Sequence, residues 1–309
     1  MTPGTSLRHN ALLYGDVGEY LAVTAPYLRA GLEAGDAVFA VVPRPRSQAL
    51  RETLGRDGRD VTFIDAEVFY QHPVRALHEY DRVMRAHAPR RLRVVGENIW
   101  PGDRTETMEW VRYESLVNAV FAASGAQVIC AYDRTAVDAE IIGHARRTHP
   151  WLIDGRAEYA SGEYAEPAGL GTDSDRVPRT PPPSDAQYLP FGSEQELYQV
   201  RRFVAARASG HGLDGRRVVA LETAVTEVAT NALKHGAPPM GVRVWTRPGE
   251  FVCEVGDHGR WRPGAPAGLV PPGSALDSGF GLWTVRLLMD RVWLYAGRDG
   301  TFVRMVVRP

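Results

Sequence analysis

The stretch ETAVTEVATNALKHG, residues 222–236, decides how the C-terminal part of this chain folds. Val218, Leu221, Val225, Val228 and Ala232 recur at helical spacing, so the stretch belongs to an amphipathic helix predicted over about 215–235. Glu227, Asn231 and Lys234 stand at i, i+4 and i+7, a spacing that puts them on one face. An amide oxygen suits a hard cation that keeps several waters. A carboxylate can take a proton from an attacking hydroxyl or water. An ammonium can meet phosphate. Taken alone, three such residues on a helix are more often simply solvated.

Two further signals follow in order. In EVGDHG, residues 254–259, Asp257 ends an apolar run and Gly259 comes two positions later. An Asp there is often only a turn residue. It can also accept a hydrogen bond from an adenine amino group, with the glycine allowing close approach. In SGFGLWTVRLLMD, residues 278–290, Gly279 and Gly281 open a helical run. Glycines at a helix start let backbone N–H groups approach phosphate, aided by the helix dipole. Around these signals, a helix begins at Ser193, with Glu196 at capping-box spacing. Strands are predicted near 241–246, 250–256, 291–296 and 301–307, with a Gly/Pro-rich loop over 259–278 and a helix over 280–289. This order predicts an α/β sandwich.

Upstream, residues 154–192 are rich in Gly, Pro, Ser and Asp, with Pro181, Pro182 and Pro183 in a row. No apolar period is sustained, and the segment reads as a linker between a domain at 1–153 and one at 193–309. In the first domain, apolar runs at 37–42, 61–64, 92–95 and 127–132 alternate with helical patterns near 17–34, 46–56, 73–87, 106–123 and 136–147. Such alternation predicts crossover units and a parallel sheet. A phosphate loop of the G-x-x-x-x-G-K-[ST] type is excluded there, because the only lysine of the chain is Lys234. No G-x-G-x-x-G follows a strand either, which argues against a standard NTPase or dinucleotide binder.

The 309 residues suffice for two domains, and the formal net charge of -1 gives no bulk electrostatic case for nucleic acid or an acidic membrane. All basic residues but Lys234 are arginine, which reads as codon bias. No apolar stretch approaches the ~18 residues that a membrane helix requires, and residues 1–16 lack a signal-peptide pattern. A soluble cytoplasmic protein is expected. Cys130 and Cys253 each lie in a short apolar run, so buried free thiols read better than a disulfide or a metal site.

The three C-terminal signals, in this order, resemble the N, G1 and G2 boxes of the GHKL ATPase superfamily. The forms ALETAVTEVATNALKHG (220–236) and GFGLWTVRLLMDRV (279–292) are similar to the anti-sigma-factor serine-kinase branch. The resemblance covers most of 193–309 and implies an ATP and Mg2+ site. In it Glu227 is the catalytic base, Asn231 a magnesium ligand and Asp257 the reader of adenine. Gly259, Gly279 and Gly281 would shape the nucleotide pocket and its lid, and Lys234 stands where phosphate could be met. Two features depart from the pattern. Arg260 and Trp261 follow Gly259, where many members have a second glycine, and Pro263, Pro266, Pro271 and Pro272 stiffen the lid. Histidine kinases carry a phosphoacceptor histidine on a helical hairpin before this domain. Here one helix without histidine precedes it, and His211 lies in a GHGLDG turn. A serine on a separate protein is therefore the expected acceptor.

In the N-terminal part, residues 9–42, VVGENIW (94–100), WVRYESLVNA (110–119), VICAYDR (128–134) and THPWLI (148–153) resemble, in that order, the MEDS sensory domain. The resemblance covers about 8–153 and implies a RecA/KaiC-like fold without a phosphate loop and a sensory role. Candidate ligand contacts are His9, Glu97, Tyr113 and Glu114. Glu97 follows a strand, at the edge where open parallel sheets bind ligands. The rival reading of Glu97 and Glu114 is an ion pair with an arginine, and His9 could simply pack or cap. His149, before Pro150, reads as a helix-ending turn.

Together these readings describe an ATP-binding anti-sigma regulatory factor with sensory input. Its implied partners are a sigma factor, an anti-anti-sigma protein of the STAS type, and a small-molecule or protein signal at the first domain. No direct contact with nucleic acid or membrane is expected, and the branch's habit of pairing implies a homodimer. Two alternatives stay open: a nucleotide-binding sequestration protein without catalysis, and an orphan histidine-kinase-like sensor.

Overall fold

The computed structural model describes residues 6–102, 104–155, 157–166, 179–260, 268 and 280–309. The chain divides into two compact units, residues 1–170 and 171–309.

The first unit is built on a seven-stranded sheet. Its strands are β1 (Arg8–Tyr14), β2 (Ala37–Val42), β3 (Thr62–Asp65), β4 (Leu92–Gly96), β5 (Gln127–Asp133), β6 (Trp151–Asp154) and β7 (Ala157–Ala160). The order is β3-β2-β4-β5-β1-β6-β7, parallel throughout except for β7, which runs antiparallel to β6. The connections are α1 (Val17–Glu33), α2 (Arg44–Leu54), the short α3 (Ala66–Phe69), α4 (Pro73–His87), α5 (Arg104–Val120) and α6 (Ala139–Thr148). Side chains alternate across a strand, and β1 shows the consequence. Leu12 and Tyr14 enter a core with Tyr20, Leu28 and Leu50 of α1 and α2, whereas Ala11 and Leu13 meet Ile141 and Ala145 of α6. His9 shares the parity of Ala11 and Leu13, so it faces the α5/α6 side. Burial on both faces explains why the strands read as continuous apolar runs.

The second unit is an α/β sandwich with an antiparallel sheet in the order β11-β12-β10-β9-β8. The strands are β8 (Gln187–Phe191), β9 (Met240–Arg247), β10 (Glu250–Asp257), β11 (Arg291–Gly297) and β12 (Gly300–Val307). Three helices, α7 (Leu197–Gly210), α8 (Gly215–His235) and α9 (Phe280–Leu288), pack on one face. The Asp214 side chain caps α8 by accepting from the Arg217 N–H at 2.8 Å. Leu221, Val225, Val228 and Ala232 of α8 meet Val242, Val255 and Met305 in the core, as their spacing predicts. On the opposite face Arg304, 1% exposed, pairs with equally buried Glu254 and lies over the rings of Trp245 and Tyr295.

The segment read as a linker contributes a strand to each unit, β7 to the first sheet and β8 to the edge of the second. Gly241 makes room for β8: a Cβ there would meet the Tyr188 ring. At Ser193 the predicted helix start is a 3-10 turn over 194–196 leading into α7, and the Glu196 carboxylate accepts from the Ser193 N–H at 2.9 Å. Among the described residues no helix is long and apolar enough to cross a membrane.

Candidate functional site

In the second unit, α8, the end of β10, the start of α9 and β12 surround a cavity of about 480 Å³. Glu227, Asn231 and His235 line it from α8, Asp257 from β10, Gly281 and Leu282 from α9, and Thr301 from β12. Val228, Val255 and Val303 supply apolar wall. This size and this mixture, apolar walls with a few polar groups, fit a small-molecule site.

Each polar group is held by local structure. Asp257 is 6% exposed, and its Oδ1 accepts from the Gly259 N–H at 2.7 Å and the Ala237 N–H at 3.4 Å. Two glycines make that approach: a Cβ on Gly236 would stand 2.5 Å from the Asp257 carboxyl carbon, and one on Gly259 2.8 Å from its Oδ1. Gly300, at φ +123, lies against the Asp257 carbonyl, where a Cβ would be 2.0 Å from the oxygen. Asp257 also sits opposite Thr301 in the β10–β12 register. Across the cavity, a Cβ on Gly281 would stand 2.9 Å from Glu227 Oε2 and 3.5 Å from Asn231 Nδ2.

The structure thus gathers Glu227, Asn231, Asp257 and Gly281 around one space, with Gly259 braced against Asp257. Lys234 differs from expectation: it is exposed and does not line the cavity, while His235 does. At about 100° per residue, Lys234 and His235 fall on opposite flanks of the Glu227–Asn231 line, and the cavity lies on the His235 flank. Gly279 and the four lid prolines lie outside the described residues.

In the first unit the four candidate contacts separate. Glu97 lies just beyond β4, near the carboxyl ends of β1 and β5. Its Oε1 accepts from the Tyr14 hydroxyl at 2.9 Å, and its Oε2 is 3.6 Å from Arg46. Arg46 also donates to Tyr14 at 3.0 Å and to Asp133 at 3.0 Å. Burial, opposed by the Tyr14 hydrogen bond and Arg46, raises the Glu97 carboxyl to about 7. Glu97 thus has Arg46 beside it, the kind of partner the ion-pair reading names, and the Tyr14 hydroxyl as its hydrogen-bond donor.

His9 and Glu114 instead meet each other on the other side of the sheet, with Cys130 and His149. His9 Nε2 is 3.3 Å from Cys130 Sγ and 3.5 Å from Glu114 Oε2. Among the described residues Glu114 is paired with His9 and His149. Burial pushes the Cys130 thiol up, while burial and the neighbouring His9 push the His149 ring down. Tyr113, 4% exposed, packs edge-on against Trp110 and Tyr70 and lines a small cavity beside this group. Sequence reading singled out neither Cys130 nor His149 as a site. Their signal, a Cys and a His spaced like nothing familiar, has meaning only once β1 and β5 are paired.

Residues 8–150 match the family described as MEDS: MEthanogen/methylotroph, DcmR Sensory domain. Residues 192–307 match the histidine kinase-like ATPase domain. The chain joins a MEDS domain to a histidine kinase-like ATPase domain. Among solved structures, the RsbU and RsbW domains of Rv1364c from Mycobacterium tuberculosis are similar at 20% identity, over 42% of this chain and 33% of that one, with a TM-score of 0.32. The chain therefore spans a third of that structure. The flagellar accessory protein FlaH from Methanocaldococcus jannaschii is similar at 11% identity, over 53% of this chain and 83% of that one, with a TM-score of 0.29. No curated protein matches the chain. The ATPase domain implies nucleotide binding, and the cavity beside Asp257 is a space of suitable size within it.

Proposed function

We propose that this protein is an ATP-dependent serine protein kinase that acts on an anti-anti-sigma partner of the STAS type, or restrains a sigma factor directly, under control of its MEDS domain. The observation that carries this reading is the closeness of Gly281 to Glu227 and Asn231, facing Asp257 across one cavity. In it Asp257, braced by Gly259 and Ala237, accepts from the adenine amino group. The Asn231 amide oxygen would hold Mg2+, which would supply neutralisation of phosphate charge. Gly281 leaves space for phosphate beside Glu227, at the start of α9, where the helix dipole favours an anion. Glu227 takes the proton of the attacking serine hydroxyl. The serine oxygen forms its bond to the γ-phosphorus, the bond from that phosphorus to the bridging oxygen breaks, and ADP leaves.

The test is incubation of the full chain with labelled ATP and candidate serine-bearing acceptors. Transfer that is lost in Glu227→Gln supports the kinase; intact ATP binding with no transfer to any acceptor removes it. Arg260 in place of a second glycine favours one further reading, a nucleotide-binding protein that sequesters its partner without catalysis. In that case Glu227→Gln leaves regulation of the partner unchanged. Phosphate recovered on a histidine of this chain would instead favour a histidine-kinase-like sensor.

A further inference from the structure

His9, Glu114, Cys130 and His149 come from four separate places in the first unit, yet their ligand atoms all lie within 4.8 Å of one another. The sheet causes this. Strand β1 pairs with β5 in the register Ala11↔Cys130 and His9↔Val128, so His9 and Cys130 emerge close together on the α5/α6 face. Helix α5 brings Glu114 onto them, and the turn after α6 brings His149.

Four of the six separations between the ligand atoms are those of a coordination sphere, and all six are within 4.8 Å. Metal–nitrogen and metal–oxygen bonds of about 2.0–2.1 Å with a metal–sulfur bond of about 2.3 Å put tetrahedral ligand atoms roughly 3.3–3.6 Å apart. Here His9 Nε2 to Cys130 Sγ is 3.3 Å, and Glu114 Oε2 is 3.5 Å from His9 Nε2, 3.5 Å from His149 Nε2 and 3.6 Å from Cys130 Sγ.

The outer nitrogens are held as ligand histidines usually are. His149 Nδ1 lies 2.9 Å from the Ala145 carbonyl, which only accepts, so the ring proton is on Nδ1 and the Nε2 lone pair points inward. His9 Nδ1 lies 3.0 Å from Asn118 Oδ1. The Asn118 amide is itself oriented, because its Nδ2 donates to the Thr148 carbonyl at 2.7 Å. Two imidazole lone pairs and a carboxylate thus face one another with a single thiol proton among them. His149 is 0% exposed, and its Nε2 has no hydrogen-bond partner. A buried polar atom in that state is costly, and a cation answers all four groups at once.

We propose that His9, Glu114, Cys130 and His149 bind a divalent transition-metal ion of the zinc class, in tetrahedral coordination. A thiolate with two imidazoles selects such an ion over magnesium or calcium. The Cys130 thiol gives its proton to solvent as the metal binds. Four protein ligands make the site of the closed, structural kind. It would pin α5 and the α6–β6 turn to the centre of the sheet, so metal loading would set how firmly this sensory domain is held.

The experiment uses untagged full-length protein loaded with Zn2+, then with Co2+ in its place. One equivalent of metal per chain is expected, and the cobalt form should show a thiolate-to-metal charge-transfer band with intense tetrahedral d–d bands. Cys130→Ser should lose the charge-transfer band, and His149→Ala should lose the metal. Cys253→Ser should change neither. Asn118→Ala, which touches no metal, should weaken binding about 10–100-fold as a positioning change. Cys130→Ser is close in shape to the natural side chain and keeps the test decisive if His149→Ala does not fold. Substoichiometric metal in the unaltered protein, or a cobalt spectrum that Cys130→Ser leaves unchanged, would overturn the proposal.

Discussion

Gly281 lies directly against Glu227: a Cβ built on the glycine would stand 2.9 Å from the carboxylate Oε2. The atom it meets is the far end of a flexible side chain, so Gly281→Ala should fold normally but displace Glu227. A misplacement of about 1 Å can cost roughly a hundredfold in rate. Serine phosphorylation should fall by about that factor, with the unfolding temperature nearly unchanged. Equal phosphorylation by the variant and the unaltered protein would show that Glu227 does not need this space.

Glu227→Gln separates binding from chemistry. The amide keeps the size of the carboxylate and cannot take a proton. ATP affinity should change little, while transfer should fall by about 10²–10⁴, the usual contribution of a general base. The measurement is paired calorimetry and transfer kinetics on the same preparation. Loss of both together would make Glu227 a binding group instead.

Glu97 gives a pH dependence whose sign is fixed. Its carboxyl titrates near 7 when folded, above the ordinary value of 4.5. Between these values the folded chain binds more protons than the unfolded one, so stability falls as pH rises. The contribution is fully present below about pH 4.5 and lost through about pH 7, and amounts to about 3 kcal/mol at most. Glu97→Gln, which can still accept from Tyr14, should remove this share. The check is the difference between the two unfolding-temperature profiles against pH; parallel profiles would contradict it.

The Arg304–Glu254 pair predicts an asymmetry. Both side chains are 1% exposed, and Arg304 also donates to the Thr180 carbonyl at 2.7 Å. Arg304→Met alone strands a buried carboxylate and should cost up to about 3–5 kcal/mol, lessened by Arg179, which also pairs with Glu254. The double variant with Glu254→Leu should recover much of that loss, because an apolar pair fills the same volume. Denaturant unfolding of the three variants decides; a double variant less stable than Arg304→Met would count against it.

The sequence made legible whatever depends on neighbours along the chain. Helix α8 and its buried face follow from the spacing of Leu221, Val225, Val228 and Ala232, and strands β2, β4 and β5 from their apolar runs. Strands β7 and β8 were hidden because both are short and largely exposed edge strands within a Pro- and Gly-rich segment. The order of Glu227, Asn231, Asp257 and Gly281 was legible, but the flank of α8 that borders the cavity was not. Local spacing ranks Lys234 and His235 alike, and only packing against β10 and β12 chooses between them. The group around Cys130 was illegible for a stronger reason. Its members are separated by up to 140 residues of chain, and only the parallel pairing of β1 with β5, with α5 and the turn after α6 packed on that face, brings them together.

The central claim, a magnesium-nucleotide site between α8 and Asp257, is tested most directly by calorimetric titration of ATP into full-length protein with and without Mg2+, beside Asn231→Ala. The account predicts one ATP per chain, tighter with Mg2+, and a variant at least about tenfold weaker, 1.4 kcal/mol, that no longer responds to Mg2+. ATP binding that is the same in both proteins and indifferent to Mg2+, or no binding at all, would contradict it.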